Sequence, residues 1–373
     1  MACKGTILIN ASNLHNGGGV QVAVSFIYEI DKLKKYNFDV LVSNTVHIEL
    51  VNLGVHIDSF NTYKIFDSRG VVILFNYKFQ KLLLSYDVVF TIFGPLYSWK
   101  KPNMNIVGFA QPWIIYPRNE IFYSYNYFNK LKVLVKYFLQ WAFYRKSDKL
   151  LVELDHVKQR LNQLHDTSNI KILVANNCIS SLYFNKNKWV NINFNKQKSD
   201  LTLGIVSRDY PHKNLKILPD VAEVLRQIYG INVRFLVTLT DDEWSMRDLR
   251  FYKYIDNVGS INIAQCPSFY KLLDGVIFPS LLECFSATPI ESMIMKKPVF
   301  ASDRLFIKQA CDSFVNYFDP NNTESIARSI YKYFLKNELQ RSNFVDNAYN
   351  HALKYNNPSA RAVKYIKTIG STS

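Results

Sequence analysis

Short apolar runs alternate with amphipathic stretches along this chain, and their periods set the expected elements. Residues 6–10, TILIN, form an apolar run of strand length, and from 20 to 34 apolar positions recur at helical spacing. The same reading predicts strands at 39–43, 71–75, 87–92 and 105–110, a long helical region over 123–144, a strand at 149–152, a helix containing 156–164, and a strand at 170–174. Residues 179–200 then run polar, rich in Asn and Lys and without a period, which marks a linker. Beyond it the alternation restarts, with strands at 201–207, 233–239, 276–278 and 298–301, helices at 215–229 and 268–273, and terminal helices at 323–335 and 343–369. Repeated strand-helix alternation on both sides of a linker predicts an α/β chain of two doubly wound, parallel-sheet, Rossmann-like domains, 1–178 and 201–345, facing a central cleft. Ligands of such sheets bind at the carboxyl ends of the strands.

Composition narrows the class. A length of 373 residues, 48% hydrophobic, is enough for two domains with their own cores. Cys3, Cys178, Cys266, Cys284 and Cys311 are scattered, odd in number and without a C-x-x-C pair, so neither a disulfide framework nor a zinc site is expected. No window reaches the roughly 18 uncharged residues of a membrane span, and the first residues are too short an apolar run for a signal peptide. A cytoplasmic protein is expected.

The net charge of +15 asks for an anionic partner: nucleic acid, lipid or a phosphorylated substrate. Residues 121–146 concentrate the pattern, with ten aromatic residues, five Lys or Arg and no acid. Rings interleaved with cations suit the headgroup region of an anionic membrane. They would also suit single-stranded nucleic acid, which is not expected here, or an ordinary amphipathic helix with rings in the core and lysines in water.

Three loops carry the candidate chemistry. The first, Asn13 to Gly19, runs into a helix through three glycines that let backbone approach a ligand, although it has neither the G-x-G-x-x-G spacing nor a Walker lysine. The second, 207–214, places Arg208 and Lys213 between a strand end and a helix start, where a fork of donors and a point charge could meet a diphosphate. The third, within 275–303, carries Glu283 before a helix and Glu291 inside it. Thr288-Pro289-Ile290-Glu291 also reads as a capping box with proline at the first helical position, which by itself would account for Glu291.

The order of these loops, GGG, R-x4-K-N and E-x7-E, resembles the retaining GT-B glycosyltransferases of glycosyltransferase family 4. The likeness extends over nearly the whole chain: KILVANNCISSLYF is similar to that family's interdomain strand and turn, FVNYFDPNN to its late loop, and 346–373 to the helix that crosses back to the first domain. The resemblance implies a metal-independent transferase using a UDP- or GDP-linked sugar as substrate and no cofactor. In it, Arg208 and Lys213 would hold the donor diphosphate and stabilise its growing charge, and Glu283 would contact the donor sugar. Glu291 would take the ribose hydroxyls, backbone N–H groups of Phe285, Ser286, Ala287 and Thr288 would meet phosphate, and Gly18 and Gly19 would approach the sugar. Where many members carry a first-domain histidine near the sugar, this chain has Gln111; His15 and Asn16 in the glycine loop are further candidate contacts. Cys284 and Ser286 stand where the family usually has glycine.

The expected reaction moves a sugar to a hydroxyl of a saccharide acceptor, lipid-linked given 121–146, at the inner face of the plasma membrane in bacterial O-antigen or capsule assembly. Two alternatives share the architecture: a sugar-nucleotide epimerase, and a non-catalytic basic binder of lipid or nucleic acid. An epimerase would convert donor without acceptor, and a binder with a dead cleft would show no saturable nucleotide affinity.

Overall fold

The computed structural model describes residues 5–34, 37–355 and 357–370; Cys3, and Asn356 within the expected terminal helix, lie outside them. The chain divides into two compact units, one of residues 1–178 with 357–373, the other of residues 179–356.

The first unit is built on seven parallel strands: β1 (Ile7–Ala11), β2 (Asp39–Val42), β3 (Thr62–Ile65), β4 (Val88–Thr91), β5 (Met104–Gly108), β6 (Lys149–Val152) and β7 (Lys171–Val174), in the order β3-β2-β1-β4-β5-β6-β7. Its helices are α1 (Gly18–Leu33), α2 (Asn44–Asn52), α3 (Tyr77–Leu84), α4 (Pro112–Ile115), α5 (Glu120–Ser124), α6 (Tyr127–Tyr144) and α7 (Asp155–Leu164). β1, β4 and β6 are buried along their whole length, as strands covered on both faces must be.

The second unit repeats the plan with β8 (Leu201–Ile205), β9 (Val233–Val237), β10 (Ile255–Asn257), β11 (Gly275–Phe278), β12 (Val299–Ser302) and β13 (Asn316–Phe318), ordered β10-β9-β8-β11-β12-β13. Its helices are α8 (Leu218–Tyr229), α9 (Asp241–Ser245), α10 (Leu249–Tyr254), α11 (Cys266–Lys271), α12 (Ala287–Ile294), α13 (Leu305–Cys311), α14 (Thr323–Phe334) and α15 (Glu338–Ala352). α8 shows how local chemistry sets an element: Pro219 sits in its first turn, Val221, Ala222 and Leu225 face the core, and Gly230 ends it at φ 67°. The last helix, α16 (Pro358–Gly370), returns to the first unit, where Tyr365 meets Phe26 of α1 and Phe90 of β4 edge-on at 5.1 and 5.4 Å.

Both sheets change direction once, between β1 and β4 and between β8 and β11. Chain leaving neighbouring strands in opposite senses opens a crevice at their carboxyl ends, and in open sheets of this kind ligands bind in such a crevice, so the loops after these four strands are the candidate binding loops.

Three expectations need correction. Residues 71–75 are not a strand: residues Gly70–Phe75 wind into a 3-10 turn that buries Ile73 and Leu74, and the third strand is Thr62–Ile65. A five-residue apolar run has the same signature as a buried strand or a buried turn, and Gly70, at φ 52°, bends the chain before an extended run can start. The terminal helix expected over 343–369 is two helices, parted by a 3-10 turn at Leu353–Tyr355 and restarted at Pro358, whose ring disfavours helix in the residue before it. Thr288 and Glu291 form no capping box, because α12 begins at Ala287 and its N-cap, Ser286, makes no side-chain cap.

Candidate functional site

In the second unit the loops after β8 and β11 are stitched to each other. The carbonyl of His212 accepts from the Leu281 N–H at 2.7 Å and from the Ser280 hydroxyl at 3.1 Å. Asn214 closes the first loop at φ 54°, a left-handed conformation that asparagine tolerates, and its amide donates to the Pro320 carbonyl at 2.8 Å. Such anchoring holds the intervening side chains at fixed positions.

Between the two loops the Lys213 ammonium donates to Glu283 Oε1 at 2.5 Å, with the two side chains only 13% and 12% exposed. Glu283 also accepts from the Ser280 hydroxyl at 2.9 Å, and the Lys213 ammonium lies 5.2 Å from the centre of the Phe278 ring. His212 Nε2 stands 3.9 Å from the same carboxylate oxygen, and the His212 ring stacks on Tyr210 at 5.4 Å. Burial pushes the His212 pKa down, outweighing the pull of Glu283, so its ring is neutral at pH 7.

Arg208 leaves the same loop toward α9. Its Nε donates to both Glu243 oxygens, at 2.8 and 3.0 Å, while the N–H groups of Asp209 and Thr240 donate to that carboxylate as well. Burial would raise the Glu243 pKa, but these donors prevail and hold it below the usual carboxylate range. Glu243 belongs to the capping box that starts α9 with Thr240. Its T-x-x-E spacing was visible in the sequence; its pairing with Arg208 depends on the β9 loop lying beside the β8 loop.

Glu291 sits in the second turn of α12, 6% exposed, and accepts from the buried Tyr270 hydroxyl at 2.9 Å. The Tyr183 hydroxyl is buried near the same carboxylate without a hydrogen bond of good geometry. Burial raises the Glu291 pKa, partly offset by the tyrosine hydroxyls. Phe285, Ser286 and Ala287 are half-buried and Thr288 is buried, at a helix start whose N–H groups lack a side-chain cap. His212, Ser280, Glu243, Tyr270 and Tyr183 are absent from the candidates read from sequence, since each acquires its role only from the element packed against it.

The first unit holds the other candidates. Gly17 caps α1 at φ 71°, and a methyl group on Gly18 would meet nothing within 4 Å, so neighbouring atoms do not demand glycine at Gly18. On Gly19 a methyl group would come within 3.2 Å of Leu14. His15 Nε2 lies 2.9 Å from the Ser68 carbonyl and its Nδ1 3.4 Å from Asp67, Asn16 is exposed, and the Gln111 amide donates to Gln140 Oε1 at 3.1 Å.

Helix α6 does not bury most of its rings in a core. Only Trp141 and Tyr144 are buried, whereas Tyr127, Phe128, Leu131, Val135, Phe138 and Leu139 are exposed at helical spacing among Lys130, Lys132 and Lys136. Among the described residues no helix is long and apolar enough to cross a membrane.

Comparison with known proteins places these features. Residues 187–351, just under half the chain, match the family model described as glycosyl transferases group 1. No curated protein matches the sequence. Among solved structures, the chain is similar to a glycosyltransferase from Rickettsia africae (18% identity, TM-score 0.67, 99% of each chain covered). It is also similar to sucrose-phosphate synthase from Thermosynechococcus elongatus (12%, 0.67, 97% of each). A third likeness is to HepE of Anabaena in complex with UDP-glucose (14%, 0.66, 98% of this chain and 100% of that one). Residues 187–351, which hold the Lys213–Glu283 pair and α12, thus match the glycosyl transferases group 1, and the chain as a whole has the GT-B fold of sucrose-phosphate synthase and HepE.

Proposed function

We propose that this protein transfers a sugar from a nucleoside-diphosphate sugar to a hydroxyl of a saccharide acceptor, with retention at the anomeric carbon and without a metal ion. The observation that carries the reading is the pinned pair of loops at the β8–β11 crevice, which sets an ammonium and a carboxylate beside an uncapped helix start. As the sugar–phosphate bond breaks, the diphosphate leaves with the bonding pair, and Lys213, Arg208 and the N–H groups at Phe285–Thr288 meet the charge it gains. Glu283 orients donor-sugar hydroxyls, and Glu291 receives the ribose. The acceptor oxygen then bonds the anomeric carbon and gives up its proton to the departing diphosphate.

The nucleotide is UDP, in line with the UDP-glucose bound by HepE. The acceptor is a lipid-linked saccharide of bacterial surface-polysaccharide assembly, met at the cytosolic membrane face through residues 121–146, where the Tyr127, Phe128 and Phe138 rings are exposed on α6. Apolar rings and lysines on one uncovered helix are what a headgroup layer accepts.

Titration of wild type and Glu291→Gln with UDP and GDP tests the donor half. UDP at a hundred times its Kd is expected to stabilise the wild type by about 2.7 kcal/mol. Glu291→Gln keeps an acceptor for the Tyr270 hydroxyl and so keeps the fold, yet weakens UDP binding about tenfold or more. The pH dependence separates binding from stability. Ionised Glu291 accepts ribose hydroxyls, so UDP affinity rises as pH passes upward through its raised pKa, and Glu291→Gln flattens that rise. Without ligand, the contribution of Glu291 to stability is full below its unfolded pKa and is lost as pH rises through the folded one, because the buried site disfavours the charged form. An unchanged UDP affinity in Glu291→Gln removes Glu291 from the site; no saturable nucleotide binding in wild type sinks the reading.

A further inference from the structure

The turn Gly70–Phe75 keeps a set of large apolar side chains in water on a well-built frame. Val72 and Phe75 are 73% and 81% exposed, and Tyr77 and Trp99 are exposed as well. Trp99 is held from three sides: its indole N–H donates to the Leu74 carbonyl at 2.9 Å, its backbone N–H donates to Gln80 Oε1 at 3.1 Å, and its ring meets Phe75 edge-on at 6.4 Å. The Gln80 amide in turn donates to the carbonyls of Ile73 and Tyr97. A single exposed ring needs no explanation, but an ordered cluster of them marks a surface that meets something.

This wedge is continuous with one end of α6. The Lys146 ammonium donates to the Ser98 carbonyl at 3.0 Å and to the Trp99 carbonyl at 3.3 Å, and it lies over the Phe143 ring at 4.8 Å. Phe143 meets Tyr97 edge-on at 5.0 Å. Cations outnumber acids along this stretch: between 69 and 101 the chain carries Arg69, Lys78, Lys81, Lys100 and Lys101, the last paired with Asp148, against the single acid Asp87, which is taken up by Thr6.

We propose that the turn Gly70–Phe75 and Trp99 form a second foothold on an anionic bilayer, so that the first unit contacts lipid both along α6 and at this wedge, the two being joined through Lys146. The inference rests on the reading of α6 as membrane-facing. A bilayer is the occupant because the wedge offers apolar tips for the acyl boundary, an indole suited to the headgroup level, and cations for lipid phosphates. A protein partner would have to bring an acidic rim, and it would leave vesicle binding unaffected by changes at the wedge.

Co-sedimentation of the full chain with phosphatidylcholine vesicles containing phosphatidylglycerol tests this, using wild type, Val72→Ser with Phe75→Ser, Phe128→Ser with Phe138→Ser, and Trp99→Phe. These side chains are exposed, so unchanged melting temperatures would confirm that the variants fold. Wild type is expected to bind in a salt-sensitive way, and each serine pair to lower the partition coefficient about tenfold or more. Wild-type tryptophan emission should shift to the blue on binding, and Trp99→Phe should remove most of that shift. If the Val72/Phe75 pair binds as wild type does while the Phe128/Phe138 pair loses binding, the wedge is refuted and the α6 reading stands. If wild type does not bind vesicles, the α6 reading fails and the wedge with it.

Discussion

Lys213→Ala is expected to lower kcat/KM for sugar transfer by about a hundred- to a thousandfold, the range seen when one preorganised donor is removed from a developing anion. Lys213 is nearly buried between Glu283 and the Phe278 ring, so its charge acts in a medium that screens little. The variant also strands the Glu283 carboxylate beside the Ser280 hydroxyl and a His212 ring 3.9 Å away, which costs stability. The double variant Lys213→Ala, Glu283→Gln separates the two effects. Removing the uncompensated charge should restore the melting temperature, while turnover should stay well below that of Glu283→Gln alone, because no cation has returned to the diphosphate. Recovery of turnover to the level of Glu283→Gln along with stability would make Lys213 a structural partner of Glu283 and nothing more.

Gly108→Ala should abolish the folded first unit, or destabilise it by more than about 4 kcal/mol, as read by denaturant melts. A methyl group there would lie 1.7 Å from the Ile92 carbonyl oxygen and 2.8 Å from its carbon. Both atoms are backbone at the end of β4, next to the point where the Gly94 N–H donates to the Gly108 carbonyl at 3.2 Å, so no side-chain rotation relieves the clash. Gly18→Ala is the informative contrast. With free space and a helical backbone its stability should hold, so a loss of donor turnover in it would report a ligand contact at the glycine loop.

Much of the scaffold follows from local pattern. β1, β8 and β11 are short apolar runs buried on both faces, and helices such as α8 carry their stop signals in sequence, so two alternating α/β halves could be read directly. The edge strand β3 escaped because its residues are half-buried or exposed, which leaves it without an apolar run. The neighbouring 71–75 misled for the opposite reason: strong hydrophobicity fixes neither extension nor burial, and Val72 and Phe75 ended in solvent.

The chain order by itself determined that Lys213 follows one strand and Glu283 another, and that cations outnumber acids around the rings of 121–146. Tertiary structure decided which charges meet. β8 and β11 are neighbours although two strands separate them in sequence, and their pairing brings Lys213 to Glu283; the β9 loop supplies Glu243 to Arg208, and α11 supplies the Tyr270 hydroxyl to Glu291. Periodicity reports what each segment buries, but not against which segment. Partner choice is a long-range property, set by the strand order and by the packing of helices on the sheet.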